Sequence, residues 1–116
     1  MSSTGALETF PNPRPERDFE IAISCPEFTS VCPKTGLPDF ATLTIRYVPS
    51  DRCVELKSLK YYVVSFRSVG IFQEHATARI ADDLFRLLRP RRLKVTTLYN
   101  VRGGFETTCT VTLPAA

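Results

Sequence analysis

The sequence predicts an α+β fold: an antiparallel four-stranded sheet with two helices on one face, in the order ββααββ. Three observations predict it. Segments of alternating apolar and polar residues lie toward both ends of the chain. Two stretches between them repeat their apolar residues at spacings of three and four. Proline and glycine clusters separate the segments. Strand pairs flanking a helix pair make an α+β arrangement, with the helices gathered on one side of the sheet.

Taken in order, residues 1–17 are rich in Ser, Pro, Glu and Arg, hold few large apolar side chains, and read as a flexible tail. Residues 18–116 are then a single domain. Phe19, Ile21 and Ile23 alternate with Glu20 and Ala22, a strand pattern that Cys25-Pro26 ends. Pro26, Pro33, Gly36 and Pro38 predict an irregular loop over residues 26–39. Residues 40–48 are rich in Thr, Ile, Tyr and Val and predict a second strand, closed by the turn Pro49-Ser50-Asp51.

Leu56, Leu59, Val63 and Phe66 form an apolar stripe that predicts a helix over 56–68, with Lys57, Lys60 and Arg67 off the stripe. Val69-Gly70 breaks it. Phe72, Ala76, Ile80, Leu84 and Leu87 predict a second helix over 71–88, stopped by Pro90. Residues 93–101 alternate again. Arg102-Gly103-Gly104 reads as a turn, and 105–113 as the returning hairpin strand. On that strand Cys109 shares a face with Val111 and Leu113 and reads as a small core residue. An open antiparallel sheet of this kind leaves two free edges, which invites side-by-side assembly.

The chain has 116 residues, a net charge of +3, 43% hydrophobic and 23% charged residues, which fits one ordinary globular domain. A chain this short builds a modest core, so a deep site is expected between subunits. The basic excess is too small to predict a nucleic-acid binder. Its densest part, Arg86, Arg89, Arg91, Arg92 and Lys94, suits the C-terminal end of a helix. There is no apolar run long enough to cross a membrane and no apolar export signal near Met1. A cytoplasmic location with reduced thiols is expected. Cys25, Cys32, Cys53 and Cys109 make no C-x-x-C pair and His75 is the only histidine, so no metal site is expected.

Cys32 has two readings, a structural thiol or a nucleophile. It sits in a loop stiffened by Pro33, Gly36 and Pro38, with Lys34 and Asp39 near in sequence, and a reactive cysteine needs its thiolate stabilised. Asp39 is either a turn residue or a general acid. Glu74 lies where an acid suits a helix N-terminus, but a carboxylate there can also accept paired hydrogen bonds from a guanine-like edge. Lys57, Lys60 and Arg67 are either a solvated helix face or cations for the phosphates of a dinucleotide. No G-x-G-x-x-G loop is present, so a nicotinamide cofactor would have to be held by such side chains.

These residues resemble a family. Glu55-Leu-Lys-Ser-Leu-Lys-Tyr-Tyr62, continued by Ser65-Phe-Arg67, resembles the signature of the 7-cyano-7-deazaguanine reductases (QueF, nitrile oxidoreductase). Phe28 to Phe40 resembles that family's nucleophile loop, and Phe72-Gln-Glu-His75 its substrate-recognition segment. The likeness spans residues 18 to 113, and the short length resembles the unimodular type. It implies a tunnelling fold. It also implies a homo-oligomer of two stacked pentamers with sites at subunit interfaces. The implied activity is NADPH-dependent, four-electron reduction of the nitrile of 7-cyano-7-deazaguanine to a primary amine, in tRNA queuosine biosynthesis. By motif position Cys32 would form a covalent thioimide and Asp39 would donate the proton. Val54, Glu55, Leu56, Gln73 and Glu74 would line the base site, and Lys57, Lys60 and Arg67 would serve NADPH. The resemblance implies no direct contact with nucleic acid or membrane. Many members carry His where this chain has Gln73, and Gln cannot transfer a proton.

Two other readings use the same residues. One is a cyclohydrolase-like enzyme of the same fold, which ordinarily uses zinc held by Cys and His. The other is a non-catalytic base-binding or RNA-binding module with Arg86 to Lys94 as its basic patch.

Overall fold

The computed structural model describes residues 7–115. Its elements run β1 (Thr9–Pro11), β2 (Ile21–Val31), β3 (Pro38–Val48), β4 (Arg52–Val54), α1 (Leu56–Val64), α2 (Gln73–Leu88), β5 (Arg92–Tyr99) and β6 (Thr108–Leu113). The main sheet has the order β2-β3-β5-β6 and is antiparallel throughout, with β2 and β6 as its edges. The predicted α+β architecture is the one observed.

Alternation decides which face is covered. Ala41, Leu43, Ile45 and Tyr47 of β3 and Leu93, Val95 and Tyr99 of β5 are buried. They meet Leu59, Tyr62, Val63 and Phe66 of the α1 region and Ala76, Ile80, Ala81, Leu84 and Leu88 of α2 in one apolar cluster. Each large side chain so buried contributes roughly 1.5–3 kcal/mol. Two polar contacts are sealed within it. The Tyr62 hydroxyl donates to Asp83 at 2.6 Å, and the hydroxyls of Thr77 and Thr97 lie 2.6 Å apart. Burial and the neighbouring Asp83 carboxylate push the Tyr62 phenol up.

Five boundaries differ from expectation. The stretch assigned to a tail, residues 1–17, is docked from Leu7 to Asn12. Leu7 is buried, β1 pairs with β4, and Asn12 bonds Asp51 and Ser50. Three residues containing a proline carry too little pattern to read as a strand. Residues 1–6 lie outside the described residues. The loop expected over 26–39 is only 32–37, because β2 continues past Pro26 through a register shift between Cys25 and Phe28. A proline is tolerated there because β2 is an edge strand.

Helix α1 closes at Val64 and continues to Val69 in tighter i→i−3 turns. Helix α2 starts at Gln73 because Ile71 instead donates its N–H to the Val31 carbonyl at 2.9 Å. Finally, β6 begins at Thr108, and Cys109 is only half-buried on that edge rather than in the core.

Arg86 and Arg89 of the basic cluster stand at the end of α2, as expected, whereas Arg92 and Lys94 belong to β5. Arg86 pairs with Asp83, Arg89 caps the helix in the left-handed region at φ 47°, and Arg91 pairs with Asp18. Among the described residues no helix is long and apolar enough to cross a membrane.

The topology sorts the connections by end. The β2–β3 loop, the N-terminus of α2 and the β5–β6 hairpin lie at one end of the sheet. Val54 lies at the other, where its N–H donates to the Tyr47 hydroxyl at 3.1 Å.

Candidate active site

Cys32 follows directly on β2. Its strand is anchored by Val31, whose N–H reaches the Val69 carbonyl and whose carbonyl takes the Ile71 N–H. The loop then closes on itself. Cys32 N–H donates to the Leu37 carbonyl at 2.9 Å, and Gly36 N–H to the Cys32 carbonyl at 2.8 Å. Gly36 sits at φ +73°, a conformation that suits glycine. Thr35 Oγ1 accepts from Leu37 N–H at 3.2 Å. This tight ring turns the Thr35 hydroxyl and the amides of Lys34 and Thr35 toward the Cys32 sulfur.

The thiol is only 6% exposed, yet it is pulled down to about 6. The Thr35 hydroxyl contributes most, then the Arg102 guanidinium, then the backbone amides of Thr35 and Lys34, while burial opposes them. Hydrogen bonds to the charged form outweigh desolvation. At neutral pH Cys32 is therefore mostly thiolate, the nucleophilic form.

Asp39 is the second residue of β3, opposite Ser30 of β2, and only 4% exposed. It is a strand residue, so the turn reading fails. Its carboxylate forms an ion pair with Arg102 Nη1. Arg102 stands at the base of the β5–β6 hairpin. Arg102 and Phe105 exchange backbone hydrogen bonds of 2.9 and 3.1 Å, across Gly103 and Gly104 at φ +61° and +86°. Two consecutive positive φ values need glycine, and they fix where Arg102 begins.

A cavity of about 410 Å³ joins these groups. Cys32, Lys34, Thr35 and Asp39 form one side, Gln73 and Glu74 of the first turn of α2 another, and Asn100, Arg102 and Thr107 a third. The rings of Phe72 and Phe105 also line it. Glu74 is exposed rather than buried in this chain. The set comprises a thiolate, a carboxylate paired with a guanidinium, a second carboxylate for N–H donors, and aromatic surface for a planar ring.

The other expected residues lie elsewhere. Val54, Glu55 and Leu56 line a separate cavity with Phe10, Ile21, Tyr47 and Cys53. The Glu55 carboxylate caps α1, accepting from Lys57 N–H at 2.7 Å and Ser58 N–H at 2.8 Å. Those two amides hold it below the usual carboxylate range. Asp39 lies eight residues before Tyr47 on β3, roughly 26 Å at about 3.3 Å per residue. A single chain thus cannot bring Glu55 and Cys32 to one small ligand.

Lys60 and Arg67 line a third cavity, of about 500 Å³, walled by Ile23, Cys25, Leu43, Ile45, Leu59 and Val63. Lys57 is exposed on α1 outside it. Among the described residues none of Lys57, Lys60 and Arg67 forms an ion pair, and no group of three His, Cys, Asp or Glu residues is placed to hold a metal ion.

Sequence reasoning missed Arg102 and Thr35. Arg102 was absorbed into a turn signal. The usable sign was a cation beside Gly-Gly in the hairpin that an antiparallel sheet returns to the same end as the Cys32 loop.

A family model described as QueF-like protein matches residues 38–115. The chain belongs to the QueF family. Two relatives named NADPH-dependent 7-cyano-7-deazaguanine reductase carry the likeness across most of the chain. The one from Anaeromyxobacter sp. (strain K) is 61% identical over 104 residues, covering 90% of this chain and 85% of that protein. The one from Chlorobaculum tepidum is 58% identical over 105 residues, covering 90% of each. The crystal structure of the archaeosine synthase QueF-Like in its apo form superposes with a TM-score of 0.77 at 20% identity, covering 84% of this chain and 95% of that one. At that identity it supports the QueF fold alone.

Proposed function

We propose that this QueF-family chain is an oxidoreductase that reduces the nitrile of 7-cyano-7-deazaguanine to 7-aminomethyl-7-deazaguanine with NADPH, in queuosine biosynthesis for transfer RNA. The observation that carries it is the Cys32 thiol, pulled down to about 6 in a cavity shared with Asp39 and Glu74, in a chain so close to named reductases.

The chemistry suits the residues. A nitrile carbon accepts hydride poorly. The Cys32 thiolate adds to it, one C–N π bond breaks, and the nitrogen takes a proton from the Asp39 carboxyl, which gives a covalent thioimide. Once the thioimide has been reduced, the C–S bond breaks and Cys32 leaves as thiolate. A sulfur that ionises near pH 6 is a good leaving group as well as a nucleophile. The imine left behind accepts the second pair of electrons. Glu74 and Gln73 offer an acceptor and an amide to the polar edge of the base.

NADPH, when bound, supplies hydride, and two equivalents provide the four electrons. Lys60 and Arg67 suit its phosphates, because they carry unpaired charge on a largely apolar groove and outnumber its one carboxylate, Glu27. Lys57 adds a third cation at the same helix.

We also propose that the site forms between chains of a cytoplasmic homo-oligomer built of two stacked pentamers. Val54, Glu55 and Leu56 of one chain would complete the cavity of Cys32 in another. The distance between the two sets supports this, as do the open edges of β2 and β6. The test is NADPH consumption with 7-cyano-7-deazaguanine, followed alongside intact mass. Wild type should show turnover and a covalent adduct, and Cys32→Ala neither. Turnover by the alanine variant would sink the mechanism.

A further inference from the structure

Two acidic groups in the cavity share one cation. The Arg102 guanidinium pairs with Asp39 and lines the same cavity as Cys32, close enough to favour its thiolate. Its side chain is 43% exposed and that of Asp39 only 4%, so the pair sits at the mouth of the cavity with the carboxylate inside. The Gly103-Gly104 turn holds the Arg102 backbone rigidly, while the long side chain can swing.

We propose that Arg102 is a positioning residue that readies the two groups in sequence. In the empty site it holds Cys32 as thiolate and Asp39 as carboxylate. An entering planar ligand draws it off Asp39, which can then bind the proton it must donate. The proposal rests on Cys32 being the nucleophile.

The reasoning is electrostatic. A carboxylate paired with a guanidinium is a poor proton donor, because the cation favours its charged form. A thiolate beside the same cation is stabilised. One arrangement thus suits the nucleophile and opposes the acid, and the conflict disappears only if Arg102 moves. The proton balance is complete. Cys32 gives its proton to solvent in the resting site, Asp39 takes one from solvent when released, and that proton passes to the nitrile nitrogen as the C–S bond forms.

The polar groups that share the cavity with the sulfur include Lys34 and Thr35 from its own loop, Asp39 from β3, Glu74 from α2 and Arg102 from the hairpin. Thr35 stabilises the thiolate more strongly than Arg102, but among these groups it is Arg102 that links the sulfur to Asp39.

The experiment follows carboxamidomethylation of Cys32 by iodoacetamide against pH in the intact protein, without nitrile or NADPH. Other thiols are resolved by peptide mass. Arg102→Gln should shift the midpoint upward by about one unit, so that modification at pH 6 slows about fivefold. Arg102→Lys should restore most of the rate. Asp39→Asn should shift the midpoint the other way, because the guanidinium then serves the sulfur alone. Adding 7-deazaguanine, which lacks the nitrile, to the wild type should break the Arg102–Asp39 pair, read as a shift of the Asp39 carboxylate stretching band, assigned with Asp39→Asn, in infrared difference spectra. If Arg102→Gln leaves the alkylation midpoint in place, or if the Asp39 carboxylate band is identical with and without the base, the proposal falls. Alkylation needs no turnover, so a failure of nitrile reduction would leave this result readable.

Discussion

At the scale of single residues, Cys32 and Tyr99 are opposite cases. Cys32 is nearly buried but surrounded by donors, so its charged form is favoured. Tyr99 is buried, and its hydroxyl has no well-formed hydrogen bond, only the Ser30 hydroxyl nearby. Burial pushes the Tyr99 phenol up. The Cys32 thiol ionises more easily folded than free, moving from 9.0 to about 6. The fold therefore gains stability from it at high pH and loses that gain as pH falls through about 6. Urea unfolding at pH 5.5 and 8.5 should show this dependence in wild type and less of it in Cys32→Ala. Nitrile reduction should lose rate on the acid side near the same pH, and Thr35→Val should move that limb upward. Tyr99→Phe removes this poorly satisfied buried hydroxyl and should change stability by no more than about 1 kcal/mol in the same unfolding assay.

At the scale of elements, strong periodicity was legible and local exceptions were not. Both helices and the four main strands follow from apolar spacing. Strand β1 did not, because Thr9-Phe10-Pro11 shows no alternation and its partner β4 is equally short. The continuation of β2 past Pro26 was hidden because a proline ordinarily ends a strand, and only a bulge on an edge permits otherwise. Cys32, Asp39, Gln73 and Glu74 were legible as candidates because two local motifs name them, and the sheet brings them to one cavity. Arg102 was hidden because Gly103-Gly104 explains its segment without it.

The turn itself can be tested. A Cβ at Gly103 or Gly104 meets nothing within 4 Å, so alanine there carries only backbone strain, about 1 kcal/mol each. Gly104→Ala should unfold at slightly lower denaturant but lose far more activity than stability, because Arg102 shifts. Equal losses would mean the turn is only structural. The α1 cap is the counterpart. Glu55→Ala should cost about 0.5–2 kcal/mol by releasing the amides of Lys57 and Ser58, while Glu55→Asp should keep most of the cap and still impair substrate binding.

At the scale of the whole molecule, the sheet separates what the motifs place in one site. Cys32, Asp39 and Glu74 occupy one end, Val54, Glu55 and Leu56 the other, and α1 with Lys60 and Arg67 spans the distance between them. If Cys32 and Glu55 serve one ligand, as proposed, a molecule the size of a purine reaches both only where two copies meet. This makes a mixing experiment decisive. Cys32→Ala and Glu55→Gln chains should each be inactive alone. Unfolded together in equal amounts and reassembled, they produce interfaces of four kinds. One kind joins an intact Cys32 from one chain to an intact Glu55 from its neighbour. Random assembly in closed rings therefore restores about a quarter of the wild-type rate. If both residues acted within one chain, every site would carry one lesion, and mixing would restore nothing. The recovered fraction thus reports directly whether the active site belongs to the chain or to the contact between chains.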